Sequence, residues 1–214
     1  MRTAGCLIVV DVQNDFLPGG ALAVARGDEV VAVASALMPA FARVIATQDW
    51  HPRTHGSFAV HHPGHSVGEV ITLGGVDQVL WPVHCVQDTS GAAFAAGLDL
   101  GRIDHVVQKG TDPAIDSYSG FFDNDHQRAT GLEALLREHG ETRVWVMGLA
   151  TDYCVKATAL DALRLGFAVT LVVDGCRAVE LKEGDGARAI AEMQAAGIVL
   201  TTSAELLAAA PGPR

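Results

Sequence analysis

The feature that most constrains the fold is a regular alternation of short apolar runs with Ala- and Leu-rich segments of helical spacing. The apolar runs are short and rich in β-branched residues, which is typical of buried strands. These runs are residues 7–10, 44–47, 105–109, 144–147, 169–173 and 198–201. The helical segments between them are residues 28–41, 132–139, 155–165 and 186–196. This order predicts an α/β fold in three layers, a parallel sheet covered by helices on both faces.

The composition predicts one domain over residues 1–214 with a sizeable core, since 49% of the residues are hydrophobic and 19% are charged. The formal net charge of −10 argues against a nucleic acid or an anionic membrane as a partner. We expect neither a membrane helix nor a signal peptide, because no apolar run has the required length or flanks. Four widely spaced cysteines without a C-x-x-C pair favour a reducing, cytoplasmic location. Residues 208–214 are expected to fray.

Reactive side chains follow several of the predicted strands at the point where each strand ends. Asp11 follows the first strand, Asp49 and His51 follow the second, Lys109 ends the third, and Cys154 lies beyond the fourth. In open parallel sheets, ligands bind outside the carboxyl ends of the strands. The fold would therefore gather these groups on one edge, and this convergence predicts an enzyme.

Cys154 lies where a predicted strand gives way to a predicted helix. In the first helical turn, unpaired backbone N–H groups and the helix dipole favour a thiolate, and they can also bind the oxyanion of a tetrahedral intermediate. Asp11 would take the thiol proton, and Lys109 would hold both anions. The alternative interpretations are a small apolar residue packing a helix end and an ordinary surface lysine.

Residues 49–55 contain side chains suited to bind a metal ion. Asp49 and His51 are two apart in an extended segment, so both can face one cation. His84, which follows the stiff Trp81-Pro82 pair, is the best third ligand, and His55 is a further candidate. One carboxylate with imidazoles suits one divalent ion, either Zn²⁺, Fe²⁺ or Mn²⁺. The alternative for these residues is a solvated loop.

Taken together, the segments resemble the cysteine hydrolases of the isochorismatase-like superfamily and, within it, the nicotinamidases, also called pyrazinamidases. Six motifs carry the resemblance, and they run in order along nearly the whole chain. They begin at Val10, Thr47, Trp81, Lys109, Ile115 and Gly148 and read VDVQNDFLPGG, TQDWHPRTHGSF, WPVHC, KG, IDSYSGFFDN and GLATDYCV.

The resemblance implies a parallel sheet of five or six strands and a complete set of site residues. It implies a catalytic triad of Asp11, Lys109 and Cys154. It implies metal ligands at Asp49, His51 and His84, with a role for His55 that differs among family members. It implies substrate-ring contacts from Phe16, Trp81 and Tyr153. An oxyanion hole would be formed by the amides of Ala150 and Cys154, after a cis peptide between Leu149 and Ala150. Residues 53–80 would form a lid.

The activity implied is hydrolysis of nicotinamide, and also pyrazinamide, to the acid and ammonia through a thioester on Cys154, with zinc the favoured metal. The partner would be this small molecule, and a homo-oligomer stays open. Two alternatives remain, an amidase for a carbamoyl or ureido compound and a non-catalytic metal-binding or redox-sensing protein. Isochorismatase itself is disfavoured because it needs no cysteine nucleophile.

Overall fold

The computed structural model describes residues 3–209, and its centre is a six-stranded parallel sheet. The strands are β1 (Thr3–Val10), β2 (Phe41–Asp49), β3 (Val70–Leu73), β4 (Val76–Val79), β5 (His105–Lys109), β6 (Arg143–Leu149), β7 (Ala168–Arg177) and β8 (Val199–Thr201). The sheet order is β5-β2-β1-β6-β7-β8, and every neighbouring pair is parallel. The predicted fold class is confirmed, and each predicted strand is present.

Within the described part of the chain, five α-helices flank this sheet. They are α1 (Glu29–Leu37), α2 (Leu132–Glu138), α3 (Lys156–Arg164), α4 (Asp185–Ala195) and α5 (Ser203–Ala209). The chain moves toward one edge of the sheet through α1 and toward the other edge through α2, α3 and α4. Right-handed crossovers therefore place α1 on the face opposite these three helices. In agreement, α1 contacts α5, and α3 contacts α4.

The helix predicted over residues 28–41 ends early. Its α-helical part stops at Leu37, and a 3-10 turn over Met38–Ala40 leads into β2. Pro39 explains the stop, because proline lacks the N–H that would continue the helical hydrogen bonding. Helix α5 was not predicted. Of the tail expected to fray, residues 208 and 209 belong to this helix, and residues 210–214 lie outside the described residues.

The core is centred on β1. Residues 6–10 of this strand are completely buried, as are Ile45 and Ala46 of β2 and Val144 and Val146 of β6. Such continuous apolar runs are typical of parallel strands that are covered on both faces. Within residues 3–209, no helix combines the length and the apolar character that crossing a membrane requires.

Strands β3 and β4 form an antiparallel hairpin outside the main sheet. Gly74 and Gly75 make its turn, both with the positive φ angles that glycine adopts at low cost. The hairpin lies within residues 53–80, the segment expected to form a lid. That segment also contains a short 3-10 turn over Ala59–His61.

Candidate active site

The ends of neighbouring strands bring four reactive side chains together. Asp11 directly follows β1, Asp49 ends β2, Lys109 ends β5, and Cys154 lies five residues beyond β6. Asp49 and Lys109 are paired in register on adjacent strands. All four residues are buried, with at most 6% of their surface exposed. The convergence expected from the sequence is present at the carboxyl edge of the sheet.

Lys109 is the centre of this cluster. Its Nζ lies 2.5 Å from Asp49 Oδ1, 2.8 Å from the carbonyl oxygen of Ser117 and 3.4 Å from Cys154 Sγ. These three partners match the three hydrogens of an ammonium group. Asp11 Oδ2 lies 2.9 Å from the same Nζ. Burial by itself would lower the pKa of Lys109, but the two carboxylates raise it well above its ordinary value, so the ammonium stays charged.

Asp11 is placed to accept a proton. Its Oδ1 accepts a 2.6 Å hydrogen bond from Thr47 Oγ1, whereas Oδ2 forms the ion pair with Lys109. The backbone there has a φ of 48°, a left-handed conformation that turns the chain directly after β1. Burial raises the pKa of Asp11 to about 6, against the opposing effect of Lys109. The carboxylate is therefore ionised at neutral pH but closer than an exposed aspartate to taking up a proton.

Cys154 differs from the sequence-based expectation in its ionisation. Burial raises the pKa of its thiol well above the ordinary value, and the nearby Asp11 and Asp49 raise it further, against the lowering by Lys109. The residue lies in a π-helical turn, Thr151–Val155, that precedes α3. The helix-end effect that favoured a thiolate is outweighed by burial beside two carboxylates. The resting cysteine is therefore a thiol, and ionisation requires transfer of its proton to a neighbour.

The loop that carries Cys154 is fixed by close packing. Gly148 has a φ of 128°, and a Cβ atom there would lie 2.1 Å from the carbonyl oxygen of Val10, so only glycine fits. The Leu149–Ala150 peptide is cis, as the resemblance implied. Asp152 lies inside the π-helical turn and does not occupy its N-cap position. Its carboxylate instead accepts hydrogen bonds of 2.9 Å from the amides of Val179 and Glu180 and joins the loop to the segment after β7.

Three predicted metal ligands form one group. Asp49 Oδ2 lies 3.6 Å from His51 Nε2 and 4.0 Å from His84 Nε2. Ligand atoms about 2.1 Å from a common ion lie roughly 3–3.5 Å apart, which is close to these separations. Each histidine Nδ1 lies 2.8 Å from a main-chain carbonyl oxygen, of Gly110 and of Pro82 respectively. A donating Nδ1–H leaves Nε2 with the lone pair that a metal needs.

His55 lies beside this group. Its ring centroid is 4.3 Å from that of His51, and its Nδ1 lies 2.8 Å from Ser57 Oγ. Its buried Nε2 has no hydrogen-bond partner among the described residues, which is unusual for a buried polar atom. Burial lowers the pKa of both His55 and His84 to about 4, so both are neutral at pH 7, the form that binds metals. The chemistry of this donor set fits one divalent cation.

A pocket of about 340 Å³, its mouth included, opens over these groups. The three predicted ring contacts line it, and so do Ala150 and Cys154. Its aromatic wall is tightly packed, with the Trp81 and Tyr153 rings 4.8 Å apart and nearly perpendicular. Sequence reasoning missed four further lining residues, which are Leu22, Asp116, Tyr118 and Val179. Asp116 and Tyr118 belong to the motif IDSYSGFFDN, which begins at Ile115, so this motif could have indicated them as pocket residues.

Two polar residues near the N-terminus, the buried Gln13 and the half-buried Asp15, support the metal ligands. Gln13 was missed, although it accepts a hydrogen bond from the Asp49 amide and donates one to the Asp49 carbonyl, both 2.8 Å long. Asp15 lies in the 3-10 turn Asn14–Phe16. Its Oδ2 accepts a 2.7 Å hydrogen bond from the amide of Cys85, the residue after His84. Both residues therefore hold the backbone beside a ligand.

Comparison with known proteins agrees with this geometry. The isochorismatase domain matches residues 5–205. A nicotinamidase of Escherichia coli is 48% identical over 93% of this chain and 95% of its own. The structure of an Acinetobacter baumannii nicotinamidase and pyrazinamidase superposes with a TM-score of 0.91 at 44% identity, covering 94% of this chain and 97% of that one. A pyrazinamidase of Pyrococcus horikoshii in complex with zinc superposes with a TM-score of 0.75 at 39% identity, covering 92% and 98%. This chain belongs to the isochorismatase family.

Proposed function

We propose that this protein is a nicotinamidase, which hydrolyses the carboxamide of nicotinamide to nicotinate and ammonia and also accepts pyrazinamide. The observation that carries the proposal is the contact of one ammonium group, on Lys109, with a thiol and two carboxylates at the base of an aromatic pocket. The relatives named nicotinamidase support the same substrate class. Two further expectations rest on the sequence alone, a cytoplasmic location and a single domain.

The reaction begins with transfer of the Cys154 proton to the carboxylate of Asp11, which lies in the same buried cluster. The sulfur then attacks the carboxamide carbon, and the amides of Ala150 and Cys154 receive the developing oxyanion. Lys109 stays protonated and balances the negative charge as it moves from the carboxylate to the sulfur and then to the substrate oxygen. This balance favours proton transfer within a cluster that has little access to water.

Collapse of the tetrahedral intermediate breaks the carbon–nitrogen bond. Asp11 returns its proton to the departing nitrogen, so that ammonia leaves and a thioester remains on Cys154. Water then adds to the thioester with Asp11 as the base, and nicotinate leaves with the thiol restored. Asp11 thus takes and returns one proton in each half of the reaction, and a group with a pKa of about 6 is well suited to both directions.

The metal-ligand group is proposed to hold one divalent cation, with zinc preferred because a relative binds it. Asp49, His51 and His84 would be the ligands. His55, with its unpartnered Nε2, is a further candidate. A cation bound there supplies a Lewis acid for the pyridine nitrogen of the substrate. The protein residues supply the rest of the positioning, since Phe16, Trp81 and Tyr153 confine a flat ring.

Substrate comparison tests this proposal. Ammonia release should be fast with nicotinamide and pyrazinamide. The kcat/KM for benzamide, which keeps the ring but lacks the ring nitrogen, should be at least about tenfold lower than that for nicotinamide. Aliphatic amides of similar size should be slower again, because they lose ring contacts of about 0.5–1.5 kcal/mol each. Equal turnover of benzamide and nicotinamide would show that the ring nitrogen does not contribute to substrate recognition. Faster turnover of a carbamoyl compound would move the protein to the alternative amidase function.

A further inference from the structure

The β3–β4 hairpin buries one side chain completely, and that side chain is an amide. Gln78 is 1% exposed, whereas Val70 on the other strand is 59% exposed. The remaining positions of the two strands are half-buried or exposed. A two-stranded hairpin is only marginally stable in water by itself. The position of this hairpin therefore depends strongly on what Gln78 contacts.

Besides the carbonyl oxygen of its neighbour Val79, 2.8 Å from Nε2, the Gln78 side chain contacts one loop, residues 116–124. Its Nε2 lies 2.9 Å from the hydroxyl of Tyr118 and 3.1 Å from Asp116 Oδ2. Its Oε1 accepts a hydrogen bond of 3.2 Å from Asn124 Nδ2. The loop is closed by its own bonds, since Asn124 Oδ1 accepts from the Tyr118 amide at 2.9 Å and the Asn124 amide donates to the Asp116 carbonyl at 2.8 Å. A rigid loop thus satisfies both ends of the buried amide.

The same contacts reach the wall of the pocket. Asp116 and Tyr118 both line it. The Tyr118 hydroxyl also accepts a 3.1 Å hydrogen bond from Trp81 Nε1, and the Tyr118 ring lies 5.4 Å from that of Tyr153. Trp81 follows Gln78 by three residues along the chain. One hydroxyl group therefore joins the hairpin, the aromatic wall and the loop.

We propose that Gln78 is a positioning residue that fastens the hairpin against the pocket, so that residues 70–79 act as a lid. Gln78 acts through Tyr118 and Trp81 and touches none of the reacting atoms. Loss of its bonds should release the hairpin together with Trp81. Because the cluster around Lys109 lies on the main sheet, the release should weaken substrate binding more than the chemistry at Cys154. The inference rests on the proposed function for its substrate.

The test replaces Gln78 by Met, which has similar length and volume but lacks the amide. Hydrogen exchange reports on the hairpin directly, and steady-state kinetics with nicotinamide report on the pocket. Backbone amides of residues 70–79 should exchange at least about tenfold faster, with unchanged exchange in β1 and β6. KM should rise about tenfold, which equals 1.4 kcal/mol, while kcat stays within about twofold. Asn124→Asp, which keeps the acceptor for the Tyr118 amide but loses the donor to Gln78 Oε1, should give the same pattern and replaces Gln78→Met if that variant does not fold.

Gln194→Met is the matched control, because it makes the same change at an exposed position of α4. This variant should keep wild-type exchange and kinetics. Unchanged exchange in residues 70–79 of Gln78→Met would overturn the proposal. So would faster exchange throughout the main sheet with a parallel loss of kcat, since that pattern indicates a purely structural role. If the wild-type protein does not hydrolyse nicotinamide, the proposed function fails, but the exchange measurement still tests the lid.

Discussion

Replacing Lys109 by Met should destabilise the fold far more than a surface lysine substitution, because two buried carboxylates would lose their shared cation. Asp11 and Asp49 lie 2.9 Å and 2.5 Å from Nζ, and all three side chains are at least 95% buried. The substitution keeps most of the side-chain volume but changes the cluster from one excess negative charge to two. Removing one partner from a buried ion pair costs about 3–5 kcal/mol. That cost is a large fraction of the roughly 5–15 kcal/mol by which a domain of this kind is stable.

Urea unfolding of chelator-treated protein measures the effect. With a slope of about 2 kcal/mol per molar urea, the midpoint of Lys109→Met should fall by roughly 1.5–2.5 M. Lys156→Met is the control, since Lys156 pairs with Glu192 at 3.1 Å on the surface, where the side chains are 31% and 58% exposed. Such a pair contributes about 0–1 kcal/mol, so its midpoint should move by less than about 0.5 M.

A second substitution tests the charge argument itself. Adding Asp11→Asn to Lys109→Met removes one of the two buried negative charges and should recover part of the lost stability, with a coupling of about 0.5–3 kcal/mol. The reasoning is refuted if Lys109→Met and Lys156→Met unfold at the same urea concentration. It is also refuted if the double variant is less stable than Lys109→Met alone.

Three further outcomes are expected. Cys154→Ala should abolish amide hydrolysis and leave the circular dichroism spectrum unchanged, and mass spectrometry of substrate-trapped wild type should find the adduct on Cys154; an adduct on another cysteine would contradict the mechanism. His84→Ala should lose bound metal, whereas Asp11→Asn should keep it and lose nearly all turnover; the reverse pattern in metal analysis would mean that the two clusters are wrongly separated. Because burial raises the pKa of Asp11 to about 6 and the base must be ionised, kcat/KM should fall as the pH decreases through about 6; a profile flat to pH 4.5 with constant metal content would exclude this base.

The architecture was predictable because its strongest signal is local. Each strand of the main sheet is a short run of apolar, mostly β-branched residues, and polar groups at the run ends mark the edge where a ligand binds. The β3–β4 hairpin was not predicted as strands because its pattern is reversed. It exposes Val70 and buries Gln78, and pattern analysis assigns valine to the core and glutamine to solvent.

Within the site, residue identity was predictable, but the ionisation of Cys154 was not. A helix end is visible in sequence and favours a thiolate, whereas the opposing effects depend on distances between distant residues. Asp11 and Asp49 lie near the thiol only because β1 lies beside β6 and β2 lies beside β1 in the folded sheet. Gln13 was missed for the same reason, since its role depends on a backbone segment 36 residues away.

The place of β1 in the sheet has a consequence for synthesis on the ribosome. Strand β1 is a central one, and it emerges before both of its neighbours in the sheet, β2 and β6. Residues 6–10 of β1 therefore have no β6 strand to pair with until about residue 149 has been made. The three charged residues of the site are synthesised well before its nucleophile, Cys154. They are Asp11, Asp49 and Lys109. A nascent chain stalled between residues 110 and 143 would hold this apolar edge of β1 open, and such an edge is a template for pairing with other chains.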